Sequence, residues 1–184
     1  MSESHSMKDL ETKIKVVSDH SELDFILNHD WYSYNEEIGQ AMEVITEITQ
    51  MFKDNIEAGI EFGTELIADR DRSMQEYYLA RNSNLASMQL INNIIFEEMG
   101  KNEYIIGPDV GHFYPLCVEY GRKEVRPVNP NVKFLRWETL SGVVIYSKYS
   151  SATEPSPFMA PAFEDMVNNA EEILRRSIDS YTNF

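Results

Sequence analysis

Three adjacent carboxylate pairs, Glu97-Glu98, Glu164-Asp165 and Glu171-Glu172, are the residues best suited by type to general acid-base hydrolysis. Neighbours in a strand or helix point apart. Each pair would therefore need a third group brought from elsewhere, and an exposed acidic surface is the ordinary outcome for such pairs on a helix. The run Asp69-Arg70-Asp71-Arg72 offers another acidic pair, but alternating signs near a helix end read as solvated surface, and calcium or magnesium sites want more converging oxygens.

Metal and nucleophile chemistry find no better footing. His5, His20, His29 and His112 lack the H-E-x-x-H spacing or a comparable ligand pattern, and His112 reads as a surface or packed residue near a helix start. Cys117 sits among apolar and aromatic neighbours, where a thiolate is disfavoured, and as the single cysteine it has no internal disulfide partner. There is no G-x-x-x-x-G-K-[ST], G-x-G-x-x-G or G-x-S-x-G. The expectation is a protein that is not an enzyme, with no cofactor, metal or catalytic residue.

Composition narrows the class further. Sixteen basic against thirty-one acidic residues in 184 leave a formal charge of -15, which repels phosphates and anionic lipid. Sequence-specific nucleic-acid binding and membrane association are not expected. The longest apolar runs, such as Val143 to Tyr146, are far too short to cross a bilayer, and no apolar run follows a basic start. One α+β domain over residues 1–184 is expected, opening with a flexible tail over residues 1–8.

The elements that would position these residues follow from periodicity. Lys13 to Val17 reads as an edge strand and Ser21 to Asn28 as a short helix. Tyr34, Ile38, Met42, Ile45, Thr49, Phe52, Ile56, Ile60, Gly63 and Ile67 then recur at helical steps. A continuous helix from Ser33 to about Asp69 would reach roughly 55 Å, so part of it should protrude or meet a neighbour. Gly59 and Gly63 would either bend it or let another backbone approach closely.

From Leu90 the signal turns to strands. Leu90-Ile91 with Ile94 to Phe96, then Tyr104 to Ile106, read as a hairpin turning about Gly100. A helix from about Gly111 to Tyr120 is closed by Gly121, whose freedom at positive φ suits a helix stop. Residues 122–133, with Pro127 and Pro130, and residues 147–157 read as long loops. Between them, Phe134 to Trp137 and Val143 to Tyr146 form a second hairpin turning near Ser141-Gly142, with the latter strand apolar enough for a sheet centre. Phe163, Met166, Val167, Ala170, Leu174, Ile178 and Tyr181 mark a C-terminal helix begun by Pro161, with Glu164 and Asp165 early and Arg175 and Arg176 late, as the helix dipole prefers. The architecture expected is a small antiparallel sheet of two hairpins packed against the long helix and the C-terminal helix.

The order of these elements resembles the neck or tail-completion proteins of long-tailed bacteriophages, the family that includes lambda-type minor tail protein Z. The resemblance spans nearly the whole chain. An aromatic-containing helix ending in glutamate, an aromatic and glycine is similar to Tyr114 to Gly121. A proline-phenylalanine-hydrophobe-x-proline-alanine signature is similar to Pro157-Phe158-Met159-Ala160-Pro161-Ala162. Where family members often carry a threonine-glycine pair before a leucine, this chain has Asn82-Ser83-Asn84-Leu85.

The resemblance implies a virion structural protein at the head-tail junction, made in the bacterial host cytoplasm. It implies a homo-oligomeric ring, a hexamer by preference and otherwise a dodecamer, between connector or head-closure proteins and tail-terminator or tail-tube proteins. An acidic lumen would let DNA pass without sticking. Arg122, Lys123, Arg126, Lys133 and Arg136 fall within fifteen positions holding one acidic residue, Glu124, and form either an interface with a neighbour's acidic helix or a solvated loop. Phe158 and Met159 are either core plugs or partner contacts. The alternative function is a small acidic cytoplasmic adaptor or phage-encoded regulator acting by protein-protein contact.

Overall fold

The helical steps that begin at Tyr34 produce one helix, and it is longer than the apolar spacing suggests. The computed structural model describes residues 10–81, 90–109, 114–138 and 142–183 and has an α+β architecture. In chain order the elements are β1 (Thr12–Lys15), α1 (Ser21–Asn28), a 3-10 turn (Trp31–Ser33), α2 (Glu36–Arg81), β2 (Ile94–Gly100), β3 (Glu103–Pro108), α3 (Tyr114–Tyr120), β4 (Leu135–Glu138), β5 (Val144–Ser147) and α4 (Met159–Thr182). The expected tail, His5, Asn82 to Leu85, the start of the Gly111 helix with His112, and Ser141 lie outside the described residues.

At about 1.5 Å per residue, the 46 residues of α2 span about 69 Å. The helix runs past Asp69 because its buried face continues through polar side chains. Ile60, Thr64, Ile67, Asp71, Gln75 and Leu79 follow one another at steps of three and four and are all buried. Asp71 therefore does not belong to a solvated surface, as its alternating neighbours suggest; it faces the core. A hydropathy pattern ends at Ile67, whereas a packing face does not.

α4 runs antiparallel along the C-terminal half of α2. Its far end sits in a notch made by the two α2 glycines: a Cβ on Gly59 would lie 2.7 Å from the Cα of Ile178, and one on Gly63 would lie 3.0 Å from Leu174 Cδ1. Close helix packing is thus the role of this pair. Nearer the start of α4, Arg70 donates from Nε to Asp165 Oδ2 at 2.7 Å and from Nη2 to Oδ1 at 3.3 Å. The buried side of α4 is Met159, Ala162, Met166 and Ser177, so Phe163 and Val167 of the expected stripe turn outward.

The main sheet has three antiparallel strands in the order β1-β3-β2, with β1 at an edge as its alternation implies. Leu90 and Ile91 are helical, and the strand begins at Ile94. The hairpin's left-handed position is Asn102, with φ 58°, and not Gly100. Asparagine tolerates that region, and Gly100 instead follows a register shift after Glu98 at the end of β2. Leu10, Ile14, Tyr104 and Ile106 from this sheet region meet Ile67, Leu79, Leu116, Phe158 and Met166 in one core.

The β4–β5 pair stands apart in its own two-stranded sheet. No residue of either strand is buried, so the expected place of Val144 to Tyr146 at a sheet centre is not observed. The two expected loops are also not independent: Arg122 pairs with Thr153 and Val125 with Ser150 in antiparallel bridges. Residues 122–138 and 142–153 therefore form one projecting arm, with β4 and β5 in its outer part.

Candidate functional site

The arm is anchored at a joint built from the two segments singled out by sequence. α3 ends with Glu119, Tyr120 and Gly121, and Gly121 takes φ 73°, turning the chain away from the helix. Any side chain there would meet Thr153 O at 2.7 Å and Pro155 N at 2.8 Å, so glycine is required by both backbone and space. The Ser156 N–H donates to Val118 O at 2.8 Å and closes the loop.

This closure brings Glu119, only 4% exposed, to the start of α4. Its Oε2 accepts the backbone N–H of Phe158 at 2.7 Å and of Met159 at 3.0 Å, and its Oε1 accepts that of Ala160 at 3.1 Å. Pro161, next in line, has no N–H to satisfy. All four orphan positions of the helix start are accounted for. The negative charge favoured at this end thus comes from α3, while Glu164 and Asp165 sit beyond the first turn of a helix that begins at Met159. Sequence reasoning assigned Glu119 only to a helix end; the clue to more was a helix start at Phe158 with no local capping side chain.

Of the candidate interface residues, Phe158 is fully buried and Met159 is 7% exposed, so both serve as core plugs. The basic residues lie on the arm. Arg122 is held at its base, donating to Ser150 Oγ at 2.7 Å and Ser151 O at 3.1 Å. Arg126 pairs with Glu124 at 2.6 Å and lies 5.6 Å from the centre of the Tyr149 ring. Lys123, Lys133 and Arg136 are exposed, with no ion-pair partner among the described residues. Beside them Phe134, Trp137, Val144, Ile145 and Tyr146 are also exposed.

A second exposed surface lies at the opposite end of α2. α1 and the 3-10 turn cover one side of the helix there, α1 through the Lys53–Asp24 ion pair and the turn through the Tyr32 ring against Gly39. The other side leaves Ile38, Val44, Ile45, Ile48, Met51 and Phe52 exposed. The expected stripe is thus real, but only from Gly59 and Ile60 onward is it continuously buried.

The remaining chemical candidates are dispersed. Glu97 and Glu98 are exposed on β2, and Glu171 and Glu172 are exposed on α4. Burial pushes the Cys117 thiol up, with Arg122 opposing weakly. A cleft of about 270 Å³ beside β1 is lined by Glu11, Lys13, Glu119, Tyr120 and Phe163, but Glu119 is committed to the α4 cap. No group of three metal-ligating side chains occurs among the described residues. Asp71 is the most perturbed acid: burial raises it from 3.8 to about 6 against the hydrogen bond that Gln75 Nε2 donates to Oδ2. It lies in the core, not in a cleft open to substrate.

No family model, curated protein or solved structure matches the chain. What the geometry defines is an α+β protein with an apolar, acidic helix face at one end and an apolar, basic arm at the other.

Proposed function

We propose that this chain is a structural virion protein of a tailed bacteriophage, a ring-forming neck or tail-completion component that joins the head connector to the tail, and that it works without catalysis. The observation carrying this reading is the Glu119 cap. It makes a single joint of the two segments similar to the neck family, with the glutamate of one holding the Phe158-Met159-Ala160 turn of the other. Two distant motifs are most economically understood as partners when one satisfies the backbone of the other.

The two exposed surfaces supply the contacts an assembly protein needs, and repeated head-to-tail contacts close into rings when the rotation allows. The partners are further copies of the chain together with connector or head-closure and tail-terminator or tail-tube proteins, at the head-tail junction of the virion. A net charge of -15 suits a lumen through which DNA passes without being read.

Cryo-EM of whole particles tests this reading. The expected result is a ring of this chain at the neck, and in a deletion, filled heads and finished tails that fail to join. A location elsewhere in the particle, a basic inner wall, or a substrate turned over by the purified chain overturns the corresponding part. The exposed α2 stripe also favours a second reading, a small acidic cytoplasmic adaptor, for which native mass spectrometry would give a discrete dimer in place of a ring.

A further inference from the structure

We propose that the arm of one copy docks on the exposed face of the N-terminal half of α2 in the next copy. This deepens the assembly reading above by naming the joint between subunits.

The two surfaces complement each other in charge. Residues 122–153 carry six basic and two acidic side chains, a net of +4, in a chain of net -15. Residues 36–54 carry five acidic side chains and one basic, a net of -4, and that one base, Lys53, is already paired with Asp24. At about 100° per residue, Glu36, Glu43, Glu47 and Asp54 fall along a single edge of the apolar stripe. The stripe is therefore flanked by an acidic rail.

The apolar parts complement each other as well. The register of β4 and β5 pairs Trp137 with Ile145, placing Leu135, Trp137 and Ile145 on one face of the ribbon. An isolated two-stranded ribbon is marginal in water unless one face is covered. On α2, Val44, Ile45, Ile48, Met51 and Phe52 offer an uncovered apolar strip of helix.

The occupant is another copy because of where these surfaces lie. The arm leaves the fold beside the start of α4, where Asp165 meets Arg70 of α2. The stripe centres near Ile45, some 25 residues earlier, or about 38 Å along the helix. The β4–β5 ribbon makes at most slight contact with other elements of its own chain. A contact between opposite ends of identical molecules is heterologous and propagates. Pairing two α2 stripes would instead bring acid towards acid and leave the arm uncovered.

Charge reversal tests the joint. One variant carries Lys123→Glu with Lys133→Glu, and the other Glu47→Lys with Asp54→Lys. All four positions are exposed, and thermal melts check that both variants fold. Sedimentation velocity and native mass spectrometry of the full chain are expected to show assemblies larger than a dimer for wild type and monomer for each variant alone. Mixing the two in equal amounts is expected to restore the large assemblies, since each arm then meets an oppositely charged helix. A wild type that stays monomeric or stops at a dimer, variants that assemble like wild type, or a mixture that stays monomeric overturns the joint. The proposal and the neck reading separate cleanly: the joint is read from mass in solution, the biological role from position in the particle.

Discussion

Glu119 accepts the backbone N–H of Phe158 at 2.7 Å across 39 residues of chain, so a carboxylate at the end of one helix sets the start of another. Because Phe158 is fully buried, the same contact seats a core side chain. Glu119→Ala removes a charged acceptor from three donors inside the fold. The expected loss is about 2 to 4 kcal/mol, above an ordinary N-cap deletion because the donors stay buried. Glu119→Gln keeps one acceptor oxygen but turns an NH2 towards the helix N–H groups, for an expected loss of about half as much. Denaturant titration of both variants measures this; a loss below about 0.5 kcal/mol for the alanine variant would show that the cap is incidental.

Gly59 and Gly63 separate a backbone contact from a side-chain contact. Alanine gains about 1 kcal/mol of helix propensity at either site. At Gly59 the new Cβ would sit 2.7 Å from Ile178 Cα, so one helix must move, and overpacking of about 1 to 3 kcal/mol outweighs the gain. At Gly63 the nearest atoms are the end of the Leu174 side chain at 3.0 Å, which can rotate, and Ser177 Cβ at 3.1 Å, which is fixed to the α4 backbone and must give by a few tenths of an ångström. Gly59→Ala is expected to lower the melting temperature clearly, and Gly63→Ala to lower it less, because the adjustment needed there is smaller. Equal effects at the two sites would contradict the helix-notch geometry.

Asp71 makes stability depend on pH in the sense opposite to a salt-bridged acid. Burial raises its folded value from 3.8 to about 6, so the folded state binds the proton more tightly than the unfolded chain. The penalty is absent below about 3.8 and grows as pH rises to about 6, reaching about 3 kcal/mol when ionisation is complete. Asp71→Asn removes it, and the asparagine Oδ1, placed where Oδ2 now sits, keeps the hydrogen bond that Gln75 Nε2 donates at 2.9 Å. The variant is expected to be about 1 to 3 kcal/mol more stable than wild type at pH 7, with the difference shrinking towards pH 4. A variant less stable at pH 7, or a difference that does not change with pH, would rule this out.

What could be read from the sequence was local. α1 is observed at Ser21–Asn28 as expected, and β1, the β2–β3 hairpin and α4 appear because each carries its own period or turn residues. What could not be read depends on groups far apart in sequence. Asp71 looks solvated beside Asp69, Arg70 and Arg72, yet the face it occupies is set by β1 and α4 packing on α2. Val144, Ile145 and Tyr146 look like a central strand because hydropathy reports a need for cover without saying what covers them. Likewise, residues 122 and 153 meet across an arm whose pairing no short window contains. The candidate site was half legible: the basic cluster was visible as composition, while the apolar ribbon beside it and the acidic rail on α2 needed the fold.

Trp137 separates assembly from folding in a way the charged residues cannot. It lies on β4, which has no buried residue, so truncation removes little from the chain's own core. Trp137→Ala is therefore expected to leave the melting temperature of the isolated chain within a few degrees of wild type, since exposed substitutions rarely cost more than about 0.5 kcal/mol. If the arm docks on α2, the same substitution removes an aromatic anchor from an intersubunit contact, where such side chains commonly carry about 2 kcal/mol or more. Association should then weaken by at least about tenfold in sedimentation experiments. Added salt should weaken wild type too, because the charges concerned are exposed and the screening length falls from about 10 Å at 0.1 M to about 3 Å at 1 M. A variant that melts early but assembles normally would place Trp137 in the fold and not in the joint, and assembly indifferent to both changes would remove the arm from the interface.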